Sequence, residues 1–350
     1  MNYSLFSYLT LFAASAFLVG IATPKFRELA LRKEIFDSPN SAHKTHVAPV
    51  PYLGGIAIVI GVVFVSLIAT ILTDSSVLGL ASGVLLPPVF LAAVGLIDDL
   101  RGLEPLPRLI AQTVVGLAVA LILIQTDTVG APTGSPNWDI VITIVFIVGL
   151  SNSINFFDNV DGGASGAVAI STFFVFILAY SSGQKYIAAI SIVVAGSTIG
   201  FLWWNKSPAR IYMGDAGSLF LGSLLASILV RFDPKPTSFP HFFFVPLFLV
   251  AIPLLDTCTV LISRISRRLS PFKGGRDHLS HRLLRLGIPK VRVVIILWGM
   301  ATFFGLLAVI LSSVSLIEES IVCILGSALW VTLLIFFLRL PAAESATNEN

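Results

Sequence analysis

The chain has 350 residues, 56% of them apolar and only 12% charged, with a formal net charge of +3. A soluble domain carries roughly a quarter charged residues. With a mean hydropathy of +0.93, these values exclude a soluble globular protein and define a polytopic membrane protein.

Crossing a bilayer as a helix takes about 20 residues. In chain order the apolar runs predict eleven spans: 4–22, 52–73, 77–97, 107–125, 138–157, 164–180, 186–204, 215–231, 240–263, 292–313 and 318–339. The runs are continuous rather than alternating, which excludes a closed barrel. The expected fold class is therefore an all-α, polytopic helical bundle, one transmembrane domain over 1–340. The first span follows "MNYSLF", which has no positive n-region, and its basic residues come after the apolar run. It is read as a retained span, not a cleaved signal. Pro87 and Pro88 predict a kink in the third span. Cys258 and Cys323 fall within spans and point to neither a disulfide framework nor zinc. The last ten residues, "PAAESATNEN", predict a disordered tail over 341–350.

Lysine and arginine set the orientation. Nineteen of them fall on one side of the predicted spans, and only Lys185, Arg231 and Lys235 on the other. The basic side is expected to be cytoplasmic, with the N-terminus outside and the C-terminus inside. Four polar loops lie on that side: "GLIDDLRGLEPLPR", "SNSINFFDNVDGGASG", "WWNKSPARIYMGDAGS" and "GGRDHLSHRLLRLG". Four of the five histidines are there too: His43, His46, His278 and His281. Polar chemistry gathered on one face points to a cytosolic substrate.

Each loop has a plain and a functional reading. Asp98 and Asp99 end the third span, where the helix dipole disfavours acids. Either they mark the exit from the bilayer, or they require a partner cation, a metal or a Lys or Arg side chain. Asn155, Asp158 and Asp161 are spaced three apart, which predicts one face of a helix. Asp215 opens the eighth span. It is either an N-cap or, with Gly214 and Gly217 allowing close backbone approach, a carboxylate beside an anion-binding helix end. The latter suits a magnesium–phosphate complex. In the loop 264–292, Arg264, Arg267 and Arg268 read as positive charge facing lipid. Asp277, His278, His281 and Arg282 read as a phosphate-handling cluster. Asp256, after Pro253, is an intramembrane acid, functional by default, or the cap of a helix break. Trp203 and Trp204 read as an aromatic belt.

The stretches "HVAPVPYLGG", "GLIDDLRGLEP", "NSINFFDNVDGG", "WWNKSPARIYMGDAGSLFLG" and "HLSHRLLRLG", in this order, resemble the polyprenyl-phosphate N-acetylhexosamine-1-phosphate transferase family. The resemblance runs from about 46 to 287. It implies that Asn155 joins Asp215 in binding magnesium, with manganese as the alternative ion. Asp161 would hold the uracil, Tyr212 would stack on it, and Asn205 would support the nucleotide pocket, with Lys44 also on the substrate. Asp98, Asp99 and Asp158 would lie by the reacting phosphates, and His278, His281 and Arg282 would grip the pyrophosphate. Relatives of the N-acetylglucosamine type read "HLHHR", so Ser280 stands in place of a histidine. The peptidoglycan translocase has a lysine close before its "PTMGG" and a triple-histidine run, both missing here. These departures point to the N-acetylglucosamine branch.

The implied activity is transfer of N-acetylhexosamine-1-phosphate, in particular N-acetylglucosamine-1-phosphate, from a UDP-sugar to undecaprenyl phosphate in the plasma membrane. The product would start a cell-envelope polysaccharide. The alternative within the family is the phospho-N-acetylmuramoyl-pentapeptide transferase of peptidoglycan synthesis. The alternative from another class is a secondary transporter. Transporters hold polar residues at the bilayer midplane within repeats, whereas here the acids lie at span ends and no repeat is evident. Expected partners are the two substrates and membrane lipid, with no nucleic acid, and a homodimer is left open.

Overall fold

The computed structural model describes residues 4–37, 50–130, 133–234, 239–270 and 275–342. Lys44, His43 and His46 lie outside the described residues, as does the expected tail from 343 onward.

The chain is a bundle of helices: α1 (Leu5–Arg32), α2 (Gly54–Thr73), α3 (Leu78–Arg101), α4 (Pro105–Gln125), α5 (Pro136–Phe157), α6 (Gly163–Ser181), α7 (Lys185–Asn205), α8 (Gly214–Leu229), α9 (Phe239–Leu249), α10 (Ala251–Ser266), α11 (Leu279–Arg285), α12 (Lys290–Leu311) and α13 (Leu316–Arg339). The only strands among the described residues are β1 (Phe36–Asp37) and β2 (Val50–Pro51), an antiparallel pair of two residues each. The all-α expectation holds.

Nine of these helices are long and apolar enough to cross a membrane. The other two predicted spans take different forms. The stretch 215–231 is α8, of only 16 residues. The stretch 240–263, expected to be one span, is α9 and α10, bent by 78°. Two prolines account for the break. Pro246 lies inside α9 and Pro253 in the first turn of α10, and proline supplies no N–H to a carbonyl one turn back. Pro253 leaves the Leu249 carbonyl without that N–H, and Ser171 Oγ donates to it (2.6 Å), while Trp330 Nε1 donates to the Ala251 carbonyl beside the break (2.9 Å). By contrast, α3 runs as one helix through Pro87 and Pro88.

Helices α6, α7 and α8 form the centre. Nearly every side chain of α8 is buried, and so are most of those on α6 and α7. A helix that is apolar all round belongs in the interior. Helices α1 and α13 lie at the periphery and leave most of their apolar surface uncovered. The C-terminal ends of α3, α5, α7 and α10 and the N-terminal ends of α4 and α8 come together at one end of the bundle, where the polar loops meet.

Candidate active site

Helix α3 stops because Gly102 adopts a left-handed φ of +67° and its N–H closes on the Asp98 carbonyl at 2.7 Å. Asp98 and Asp99 therefore occupy the last turn, against the dipole. Each is compensated differently. Asp98 Oδ1 accepts the Leu103 N–H (2.6 Å), and Oδ2 accepts Arg108 Nη1 (2.6 Å). Both Asp99 oxygens reach across to α8, accepting the backbone N–H groups of Asp215 (2.8 Å) and Ala216 (3.0 Å).

Asp99 is thus the cap of α8, supplied by another helix. Asp215 is not the N-cap, and two of the N–H groups expected to meet an anion already hold the Asp99 carboxylate. The contact needs glycine at 214. Its φ is +69°, and an added Cβ would lie 2.5 Å from Asp99 Oδ2. One turn along, an added Cβ on Gly55 would lie 2.3 Å from the Gly217 nitrogen, so α2 and α8 touch backbone to backbone. Tyr212 holds this corner. Its N–H donates to the Pro51 carbonyl (2.9 Å), its carbonyl accepts the Gly54 N–H (3.1 Å), and the Tyr52 hydroxyl donates to the Asp99 carbonyl (2.8 Å).

So positioned, Asp215 presents its carboxylate to α4 and α5. Oδ2 accepts Arg108 Nη1 (2.8 Å) and Oδ1 accepts Asn155 Nδ2 (2.7 Å). Asn155 Nδ2 also donates to Ser218 Oγ (2.9 Å). Asp98 and Asp215 therefore converge on one guanidinium nitrogen.

The expectation that Asn155, Asp158 and Asp161 share a helix face is corrected. Helix α5 ends at Phe157, and only Asn155 is on it. The side chain of Asn159 turns back to the Phe156 carbonyl (2.6 Å), and Gly162 takes a φ of +77° to start α6. Asx side chains that bond the local backbone end helices in this way. Asn205 pins the resulting loop. Its Oδ1 accepts the Gly162 N–H and Ser165 Oγ, both at 3.0 Å, and its Nδ2 donates to the Ile211 carbonyl (3.0 Å). Asp161 Oδ2 accepts the Ala209 N–H (3.2 Å) and Lys290 Nζ (3.3 Å). Asp158 makes no side-chain hydrogen bond to any described residue. Burial, then the charges of Asp161 and Asp99, push its carboxyl up to about 7.

The last loop departs from expectation. Arg282 is fully buried. Its Nε donates to the Asp277 carbonyl (2.8 Å), its Nη1 to the Phe337 (2.9 Å) and Leu340 (2.8 Å) carbonyls, and its Nη2 to Ser263 Oγ (2.8 Å). It satisfies the carbonyls at the C-terminal end of α13, a favourable place for a cation, and is not presented to a phosphate. Arg264 and Arg267 do not simply face lipid either. Both hold Asp277, at 3.1 and 2.5 Å. Burial raises the Asp277 carboxyl, but the two guanidiniums outweigh it and hold it below the usual range.

Two members of that cluster remain oriented as a pair. Asp256, fully buried in α10, accepts the Leu279 N–H on Oδ1 (2.7 Å) and faces His278 Nδ1 with Oδ2 (2.7 Å). A carboxylate there keeps the proton on Nδ1 and leaves Nε2 as the outward atom. The His278 ring lies between Phe156, 6.2 Å away, and His281, 5.8 Å away. Burial, then the neighbouring His278, Arg285 and Arg276, push His281 down to about 3. It is neutral and offers a hydrogen bond, not a charge. Ser280 Oγ donates to Asn159 Oδ1 and so docks α11 on the loop after α5.

Sequence reasoning missed the roles of Arg108, Lys290 and the Asp256–His278 pair. A signal existed for Arg108. The acids against the α3 dipole asked for a cation, and this one stands in the first turn of the next helix.

A divalent ion can be tested against the donors present. Among the described residues no cluster of three His, Cys, Asp or Glu side chains forms a closed metal cage. Magnesium does not need one. It takes one or two carboxylates and completes its shell with water and substrate phosphate. Asp215 and Asp98, converging on one cation with the Asn155 amide alongside, fit that requirement.

Fold and site together define an integral-membrane helical protein with an acid-rich polar site at one end of the bundle. Residues 81–233 match the model of glycosyl transferase family 4. A decaprenyl-phosphate N-acetylglucosaminephosphotransferase of Mycobacterium leprae is 31% identical over 327 residues, 83% of this chain and 81% of that one. A probable undecaprenyl-phosphate N-acetylglucosaminyl 1-phosphate transferase of Bacillus subtilis is 28% identical over 333 residues, 93% and 87% of the two chains. A phospho-N-acetylmuramoyl-pentapeptide-transferase of Staphylococcus saprophyticus is 26% identical over 313 residues, 83% and 93%. The chain belongs to glycosyl transferase family 4.

Proposed function

We propose that this protein is a phosphoglycosyltransferase that moves N-acetylglucosamine-1-phosphate from UDP-N-acetylglucosamine to undecaprenyl phosphate at the cytoplasmic face of the plasma membrane. The observation that carries the reading is the convergence of Asp98 and Asp215 on one cation, with Asn155 beside them, at the end of the bundle that gathers the basic loops. The names of the relatives supply the substrate class.

In the reaction an oxygen of the lipid phosphate attacks the donor phosphorus next to the sugar. The bond from that phosphorus to the bridging oxygen breaks, and UMP leaves with that oxygen. The lipid keeps a new diphosphate linkage bearing the sugar. Such transfers depend on positioning and charge neutralisation more than on covalent help from the protein. A magnesium ion, or manganese, on Asp215, Asn155 and Asp98 would supply neutralisation of the diphosphate.

This chain's own groups do the rest. Asp99 fixes the start of α8, and with it the aim of Asp215. Asp158, without a hydrogen-bond partner among the described residues and ionising near neutral pH, steers the lipid phosphate and accepts its remaining proton. That phosphate has its second pKa near 6, so the demand is small. Asp161, Lys290 and Asn205 shape the uridine side, with the half-buried Tyr212 as its stacking surface. Neutral His281 donates a hydrogen bond to a phosphate oxygen, and His278, oriented by Asp256, offers Nε2 as an acceptor for a protonated phosphate oxygen.

The test is purified protein with undecaprenyl phosphate, magnesium and a panel of UDP-sugars. UMP release with UDP-N-acetylglucosamine and a lipid-linked diphosphate sugar as product are expected. UDP-N-acetylmuramoyl pentapeptide is expected to be inert. No UMP with any sugar would overturn the reading.

A further inference from the structure

Arg108 stands where a positive charge is not otherwise wanted. It lies in the first turn of α4, which begins at Pro105, and a helix N-terminus disfavours cations. One atom, Nη1, makes both of its ion pairs, to Asp98 Oδ2 and Asp215 Oδ2. Nε and Nη2 make no hydrogen bond to a described residue. About a quarter of the side chain, and as much of Asp215, is exposed, so the contact can open without unfolding. The helix behind it is fixed. One turn deeper, Gln112 is buried and exchanges hydrogen bonds with Asn152 of α5, with Asn152 Nδ2 to Gln112 Oε1 at 2.6 Å. The result is an anchored helix carrying a long, openable arm.

Arg108 and a divalent ion would claim the same oxygen atoms. Magnesium binds oxygen at about 2.0–2.1 Å, which leaves no room for a guanidinium nitrogen on the same carboxylate oxygen from the same side. We propose that Arg108 is an exchangeable counter-cation, which gives up Asp215 when a divalent ion binds there and turns its spare N–H groups to the substrate diphosphate. This rests on the metal assignment made above. Charge adds a reason. The carboxylates of Asp98, Asp99 and Asp215 against one guanidinium leave an excess of negative charge that repels an anionic donor. A divalent ion cancels that excess. Arginine suits the second role, because its planar fork matches phosphate oxygens in a way that an ammonium does not. The exchange makes ion and nucleotide binding cooperative, the ion first.

The experiment measures Mn2+ binding by electron paramagnetic resonance of the free ion, using chelator-treated protein in detergent with no donor present. Four variants are compared with the parent: Arg108→Gln, Arg108→Lys, Asp215→Ala and Arg101→Gln. Arg101 is an exposed arginine at the end of α3 that makes no contact in the site. Exchange predicts that Arg108→Gln binds Mn2+ about tenfold more tightly, a shift of ~1.4 kcal/mol. Arg108→Lys should fall between it and the parent, and decides the matter if the glutamine variant does not fold. Equal affinity in the parent and both Arg108 variants would overturn the exchange while leaving the metal site standing. So would equal tightening by Arg101→Gln, which would mark a general charge effect. Binding by Asp215→Ala as strong as the parent's would remove the metal assignment itself, and the exchange with it.

Discussion

Two regions of this molecule put acids among arginines, and they do opposite things. Around Asp277 the cations are in excess. Arg264 and Arg267 share one carboxylate, and Arg282 spends its donors on three backbone carbonyls and a serine. Its donors are committed, so that region fastens α10, α11 and the end of α13 together. Around Asp215 the acids are in excess. One guanidinium serves two carboxylates, Asp158 has no described hydrogen-bond partner, and about a quarter of Arg108 and of Asp215 is exposed. Unmatched acceptors at an accessible helix end call for a cation. Formal charge alone makes the first region look like the phosphate site. The balance of donors and acceptors points to the second.

The largest effect is expected on removing the acid that defines the open region. Asp215→Ala is expected to slow UMP release by about 10³-fold or more, as loss of a group that stabilises transition-state charge does, while the protein stays monodisperse. Near-normal turnover by the folded variant would sink the assignment. The saturated region should answer differently. Arg282→Lys keeps the charge but strands several buried acceptors, at a cost of about 2–4 kcal/mol. Its melting temperature in detergent should fall, with the KM for donor unchanged in the surviving fraction. An unchanged melting temperature with a raised KM would return Arg282 to the phosphates.

Smaller effects sharpen the contrast. Asp161→Asn should raise the donor KM by about five- to tenfold and lower kcat far less, since it loses ground-state binding rather than chemistry. A collapsed kcat with an unchanged KM would move Asp161 among the catalytic groups. The smallest effect is on stability against pH. The folded state holds the Asp158 proton up to about 7, while the unfolded chain releases it near 3.9. Between those values the folded form binds more protons, so this residue's contribution to stability falls as pH rises and stays low above about 7. In chelator-treated protein, Asp158→Asn should therefore melt higher than the parent at pH 8, with the gap closing towards pH 4. A gap independent of pH would mean that Asp158 does not titrate in this window.

Much of this was legible in the sequence, because membrane burial writes long apolar runs and leaves polar residues conspicuous. Asp98, Asp99, Asn155 and Asp215 were singled out, and the structure brings all four together. What the sequence hid was partnership. The three-residue spacing of Asn155, Asp158 and Asp161 looked helical, but Asn159 and Gly162 end the helix between them. The glycines beside Asp215 looked like room for a ligand, yet Gly214 admits Asp99 from α3 and Gly217 the backbone of α2. Arg282 looked like a phosphate ligand because its acceptors, Phe337 and Leu340, are more than fifty residues away. The bend between α9 and α10 depended on Ser171, on another helix, to satisfy the freed Leu249 carbonyl. Apart from that local helix end, each of these depends on a contact between segments distant in the chain.

In the proposed reaction the sugar travels together with its phosphate. Incubating the protein and undecaprenyl phosphate with UDP-N-acetylglucosamine labelled with 32P at the phosphorus next to the sugar tests it directly. Label extracted into the lipid phase, with unlabelled UMP released in equal amount, is the result expected. Label left in water as UDP, with unlabelled sugar on the lipid, would show cleavage on the other side of that phosphate and contradict the account.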